Sequence, residues 1–156
     1  MKAKNHPANP APAPRRTILL VDDEASVREM VGRVLTEEGY LVLCACDGLE
    51  VIGIADANKI DLVILDIQMP RQNGWDTYEQ LNHKHPFVPI IIVTARPNQL
   101  FTAVGAGVGA LLEKPFDIPT LLLNVQRLLT ESNETRMARL AGEETAFHYA
   151  AAQHSP

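Results

Sequence analysis

Four consecutive apolar residues, Leu62-Val63-Ile64-Leu65, run straight into a carboxylate at Asp66. A run with no polar alternation has to be covered on both faces, which is the position of an inner strand in a parallel sheet. The charge at its end then has to lie where the strand leaves the core. Asp61 precedes the run, and Pro70 with Gly74 breaks the chain after it, so Asp66 should open onto a loop. In an open α/β sheet that edge, beyond the carboxyl ends of the strands, is where ligands sit. A helix cap or a simple turn is the plainer explanation of one such carboxylate, and the other strand ends weigh against it.

The same unit recurs along the chain. Thr17 to Val21 is a buried strand that ends in Asp22-Asp23; Val27, Met30, Val31, Val34 and Leu35 then follow at helical spacing, with Gly39 placed as a left-handed cap. Leu41 to Cys46 reads as a second strand, and Gly48 to Ala57 as a helix with Leu49, Ile52 and Ala55 inward. After the Leu62 strand, Gly74 to Lys84 puts Trp75, Tyr78 and Leu81 on one helix face, and Pro86 and Pro89 stop it. Ile90 to Val93 is the most β-branched run and closes at Thr94. Pro97 to about Ala106 gives a fourth helix, Ala110-Leu111-Leu112 a fifth strand followed by Lys114-Pro115, and Asp117 an N-cap for a last helix. That helix carries Ile118, Leu121, Leu122, Val125, Leu128 and Leu129 as its stripe. Five strands alternating with five helices predict parallel βαβ units with right-handed crossovers, hence one doubly wound α/β sheet.

The flanks read differently. Residues 1 to 16 hold four of the eleven prolines and no apolar periodicity, which predicts a disordered arm before a domain over 17 to 131. From Ser132 a tail follows that could hold a helix with Met137, Leu140, Ala141 and Phe147 on one face, weakened by Gly142 and Glu144. No window reaches the ~18 apolar residues of a membrane span and the basic N-terminus has no apolar core, so a cytoplasmic protein with no membrane contact is expected. Cys44 and Cys46 match no zinc or redox spacing and are expected as reduced core or boundary residues. Residues 17 to 156 hold ten bases against nineteen acids, a net −9. Such a body repels phosphates, and some 25 residues after the last helix are too few for a helix-turn-helix, so no direct DNA binding is expected.

Four of the five strands deliver polar groups to one edge: Asp22 and Asp23, Asp66, Thr94 and Lys114. Carboxylates converging within ~5 Å repel by roughly 3 kcal/mol per pair at an effective dielectric near 20. Oxygen ligands without histidine or cysteine call for a hard divalent ion, Mg²⁺ with Mn²⁺ as a substitute. A lysine and a hydroxyl beside such a site point to phosphate chemistry, in which a carboxylate can itself be the nucleophile. Asp66, on the central strand with donors to either side, is the better acceptor; Asp22 and Asp23 are the better metal holders, and the small Ala95 leaves room for a phosphoryl group.

Asp22-Asp23, Asp66 with Met69-Pro70 and Gly74, Thr94-Ala95, and Lys114-Pro115-Phe116 resemble the receiver domain of two-component response regulators, over about Thr17 to Glu131. The resemblance implies a flavodoxin-like αβα fold of strand order 2-1-3-4-5. It implies that Asp66 takes phosphate from a histidine kinase or histidine phosphotransfer protein, in a single-domain module with no enzymatic turnover beyond its own phosphorylation and dephosphorylation. Output then has to pass through a downstream protein partner or back into a phosphorelay, with a homodimer as a further candidate contact. Asp23, Asp66 and the carbonyl of Gln68 would bind Mg²⁺, with Asp22 acting through water. Thr94 and Lys114 would contact the phosphoryl oxygens, and the Lys114-Pro115 bond would be cis.

One position departs from the pattern. The family places a switching aromatic three residues before the lysine, where this chain has Leu111. Two other functions compete: a pseudo-receiver that keeps the fold without phosphate, supported only by Leu111, and a phosphatase of the haloacid-dehalogenase kind. The latter needs a second aspartate two residues after the nucleophile, where Gln68 stands.

Overall fold

The computed structural model describes residues 14–69, 72–143 and 147–153; most of the proline-rich arm, Pro70 and Glu144 lie outside them. Its elements are β1 (Thr17–Val21), α1 (Ala25–Glu37), β2 (Leu41–Ala45), α2 (Gly48–Ala57), β3 (Leu62–Asp66), β4 (Gln68–Met69) and β5 (Gln72–Asn73). They continue with α3 (Gly74–Lys84), β6 (Ile90–Thr94), α4 (Leu100–Gly105), β7 (Ala110–Glu113), α5 (Ile118–Thr130), α6 (Asn133–Leu140) and β8 (His148–Ala150). The main sheet has the order β2-β1-β3-β6-β7-β8, and every neighbouring pair is parallel. The five predicted strands thus take the expected doubly wound order, and β8 adds a sixth at the edge. β4 and β5 form a small separate antiparallel ladder beside it.

Each face of the sheet has its own core. Leu19, Leu65, Ile92 and Leu111 pack with Val51, Ala55, Tyr78, Leu81 and Ala103 from α2, α3 and α4. Ile18, Ile64, Ile91 and Leu112 pack with Val31 and Leu35 of α1 and Leu121, Val125 and Leu128 of α5. This is why the inner strands are apolar at every position: both faces are covered. Gly39 ends α1 at φ +94°, a conformation that glycine adopts without a Cβ penalty. Asp117 accepts from Thr120 N at 2.7 Å and starts α5, as its position predicted.

Some faces differ from the sequence pattern. In α2 it is Val51 that is buried, while Leu49 is 82% exposed. Met30 is likewise outside the core, at 52%. Cys44 and Cys46 are free but exposed, because among the described residues β2 is the edge strand of the sheet. The fourth helix starts at Leu100, three residues later than Pro97. In α6 the residues turned inward are Arg136 and Arg139, which periodicity of apolar side chains cannot find. Arg136 donates through Nε to Pro86 O and through Nη2 to Asn82 Oδ1, and Arg139 donates to Gly107 O and forms a bidentate pair with Glu131. Burial lowers the Arg136 pKa to about 10.

Gly74 fixes where α3 begins. A Cβ there would lie 2.2 Å from Ile67 Cα, so the first turn of α3 presses against the residue after Asp66. Gly53, in the middle of α2, has nothing within 4 Å. Gly74→Ala is therefore expected to cost about 3 kcal/mol or more in urea unfolding, through a clash with backbone that cannot move aside. Gly53→Ala should instead gain roughly 0.5–1 kcal/mol, because only helix propensity changes. Equal effects of the two substitutions would refute the close approach.

Candidate functional site

The carboxyl ends of β1, β3, β6 and β7 meet at one edge of the sheet, and the polar residues that follow them stand together there. Asp66, the last residue of β3, is 3% exposed, and Asp22, just after β1, is 2% exposed. Between them lies Lys114, whose Nζ donates to Asp22 Oδ2 and to Asp66 Oδ2, both at 2.9 Å. The second oxygen of each acid is engaged by backbone: Asp22 Oδ1 accepts from Glu24 N at 2.9 Å and Asp66 Oδ1 from Gln68 N at 2.8 Å. Lys114 is itself placed by the sheet, its N–H donating to Thr94 O at 2.8 Å. The Lys114-Pro115 bond is cis.

Carboxylate oxygens of Asp22, Asp23 and Asp66 lie within 4.8 Å of one another. Three carboxylates against one ammonium leave a formal excess of two negative charges. Asp23 is exposed and completes the open side of the group. Burial pushes the Asp66 pKa up; the Gln68 N–H and the Lys114 ammonium pull against that, and the Asp22 charge adds to the rise. For Lys114, burial works against the charge, but its hydrogen bonds to Asp22 and Asp66 outweigh it and raise the pKa. The lysine is therefore a fixed cation, and the acids remain under-compensated.

Thr94 is fully buried at the end of β6. Its Oγ1 accepts from Arg96 N at 2.9 Å and makes no hydrogen bond to Asp66 or Lys114. The hydroxyl proton is free to be given to an oxygen arriving at the edge. Gln68 contributes its N–H to Asp66, and its side chain is exposed in β4. Sequence reasoning missed Arg28, which donates from the first turn of α1 to Asp22 O at 2.6 Å and pins the loop after β1. It also missed β8, which places Tyr149 in register with the buried Leu111 of β7. A second group, exposed Cys46 and Glu50 with half-buried Asp47, is occupied with capping α2 and holding Cys46, which explains it without a ligand.

The family model described as response regulator receiver domain matches residues 18–126. The transcriptional regulatory protein CpxR of Klebsiella pneumoniae is 36% identical over 132 residues, which is 82% of this chain and 56% of that protein. The chain thus spans about half the length of the curated relatives it matches. A solved response regulator receiver domain protein (CheY-like) from Methanospirillum hungatei superposes with a TM-score of 0.73 at 26% identity, covering 78% of this chain and 98% of that one. Response regulator protein TrrA from Thermotoga maritima, solved in complex with Mg²⁺ and BeF, superposes at a TM-score of 0.68 with 32% identity, covering 72% of this chain and 98% of that one.

These relatives overturn one expectation, that of a protein with no DNA contact. A relative named as a transcriptional regulator is matched over only about half its length, so the acidity of this chain speaks for the shared half alone. Among the described residues no helix is long and apolar enough to cross a membrane.

The raised Asp66 pKa has a sign that can be measured. A carboxyl that holds its proton more tightly in the folded chain favours folding below its unfolded pKa, and that contribution is lost as pH rises through the folded value. At pH 7, with chelator present, Asp66→Asn is therefore expected to melt a few degrees higher than the native chain, the shift that about 1 kcal/mol gives at this size. The advantage should shrink as pH falls toward the ordinary carboxylate range. A variant that melts lower at pH 7 would mean that Lys114 holds the ionised acid more strongly than burial penalises it.

Proposed function

Because the chain belongs to the response regulator receiver domain family, we propose that it is a phosphoryl-accepting switch in which Asp66 takes phosphate from a phosphohistidine of a histidine kinase or histidine phosphotransfer protein. The observation that carries this is the Lys114 ammonium held at 2.9 Å from both Asp22 and Asp66 at the sheet edge. An ionised carboxylate with a fixed cation beside it is a nucleophile with its charge already partly compensated.

An Asp66 oxygen attacks phosphorus, the P–N bond of the phosphohistidine breaks, and the leaving imidazole nitrogen takes up a proton. The product is a carboxyl phosphate on Asp66. Lys114 stays within reach of the phosphoryl oxygens and offsets the charge that Asp66 brings to them. Thr94, whose hydroxyl proton is uncommitted, donates to another of these oxygens. Neither group is consumed, and the chain turns over only its own phosphate.

The donor set fits a hard divalent cation: oxygens alone, and two negative charges in excess. Asp22, Asp23, Asp66 and the Gln68 carbonyl would hold Mg²⁺, or Mn²⁺ in its place. When bound it neutralises charge on the transferring group. The Thermotoga relative solved with Mg²⁺ and BeF supports the same assignment.

Intact mass after incubation with Mg²⁺ and acetyl phosphate tests the proposal. The chain should gain one phosphoryl group that hydroxylamine removes and that Asp66→Asn never acquires. Lys114→Ala and Thr94→Ala should retain the fold and slow the gain, Lys114→Ala by on the order of 10²-fold. Mg²⁺ should raise the melting temperature of the native chain, and Asp23→Asn should remove most of that rise. If Mg²⁺ binds and the mass never changes, the pseudo-receiver function replaces this one.

A further inference from the structure

The family match ends at residue 126, whereas the chain continues into α6 and β8. These added elements end in a short strand on the sheet edge nearest the site. β8 pairs in parallel with β7, with His148 opposite Ala110, Tyr149 opposite Leu111 and Ala150 opposite Leu112. At its lower end His148 N donates to Gly109 O at 3.3 Å. Beyond Ala150 the chain runs on to the site end of β7. There Gln153 N donates to Pro115 O at 2.8 Å and Gln153 Nε2 to Asp117 Oδ2 at 2.7 Å. The Tyr149 hydroxyl bonds to the Glu113 carboxylate.

All three of these ties fall on Glu113, Pro115 and Asp117, the residues that flank Lys114. Glu113 is also the register partner of Thr94. The strap is thus fastened to the short segment that carries the site lysine, one strand from the site hydroxyl.

We propose that β8 is a releasable strap over the β7 edge, and that phosphorylation of Asp66 loosens it. The inference rests on the function proposed above. In the unmodified chain Lys114 Nζ is divided between two carboxylates, and that fixes the 113–117 segment in the position to which Gln153 and Tyr149 are fitted. A phosphoryl group on Asp66 gives the ammonium new oxygens farther out, so the segment follows and the fitted bonds are lost. The rest of its hold is short: three paired residues, with Phe147 and Ala150 packed against the two cores only in part and Tyr149 45% exposed. Release leaves the main chain of β7 as an open sheet edge, a surface that pairs with extended segments. Coupling of this kind is reciprocal, so weakening the strap favours the phosphorylated state.

Hydrogen exchange read by mass spectrometry on the full chain, with and without Mg²⁺ and acetyl phosphate, tests this, with intact mass taken on the same samples. Peptides covering 147–153 and the 110–113 strand should exchange about tenfold faster once the phosphoryl mass is gained, the opening that one or two net hydrogen bonds control. Asp66→Asn should show no change on adding the donor. Gln153→Ala and Tyr149→Phe should speed exchange of the tail before phosphorylation and raise the phosphorylated fraction reached at a given donor concentration. A phosphoryl gain with tail exchange unchanged or slower overturns the strap and leaves the proposed function standing. A missing mass gain overturns both, since the strap then has nothing to answer to.

Discussion

The ammonium of Lys114 between Asp22 and Asp66 is the interaction on which the rest of the molecule depends. Two nearly buried carboxylates repel each other, and burial penalises the charge of each. A single donor equidistant from both holds them together only if β1, β3 and β7 end level with one another. The parallel register meets that demand, with Val21 beside Leu65 and Thr94 beside Glu113. Gly74 meets a second demand, letting the first turn of α3 pack directly against Ile67, the residue after Asp66. A buried ion pair of this kind is a poor way to gain stability, and an apolar replacement is often as good or better. Its retention at a sheet edge makes sense as chemistry kept at a cost to the fold.

How much of this was legible in the sequence follows from where covalent neighbours decide the outcome. The inner strands were, because a strand covered on both faces has to be apolar throughout, and a polar residue at its end has few other places to be. Asp22, Asp66, Thr94 and Lys114 were found on that ground alone, and the structure puts Lys114 in contact with both acids. Thr94 is beside them in the sheet without bonding to them. The helix faces were less legible, since Leu49 and Val51 are equally apolar and only the direction of α2 across the sheet chooses between them.

The tail defeated sequence reading for a different reason. Arg136 and Arg139 are buried because carbonyls of the Pro86 and Gly107 loops and the Glu131 carboxylate need donors, a demand set by distant segments. β8 is only three residues, His148–Ala150, too short for alternation to show, and it is laid along the edge of β7. Net charge misled in a related way. It describes the half of a longer relative that this chain matches, and a domain that gathers acids for its own site has a sign unrelated to what the rest of such a protein touches.

The two edges of the sheet are not equivalent, and the difference bears on how a chemical event at Asp66 can be felt elsewhere. β2 ends without a polar residue in the site and is the edge strand among the described residues, with Leu41, Cys44 and Cys46 exposed. A strand added there would touch none of Asp22, Asp66, Thr94 or Lys114. β7 leads directly into Lys114 and borders Thr94, so a strand laid along it pairs with residues 110–112 and its continuation bonds Pro115 O, next to the lysine. A parallel sheet packed on both faces is stiff and passes strain on instead of absorbing it, so a displacement at the site is taken up at the margin. The edge next to the lysine is the place where a small displacement meets a weakly held element, and this chain has its added strand on that edge.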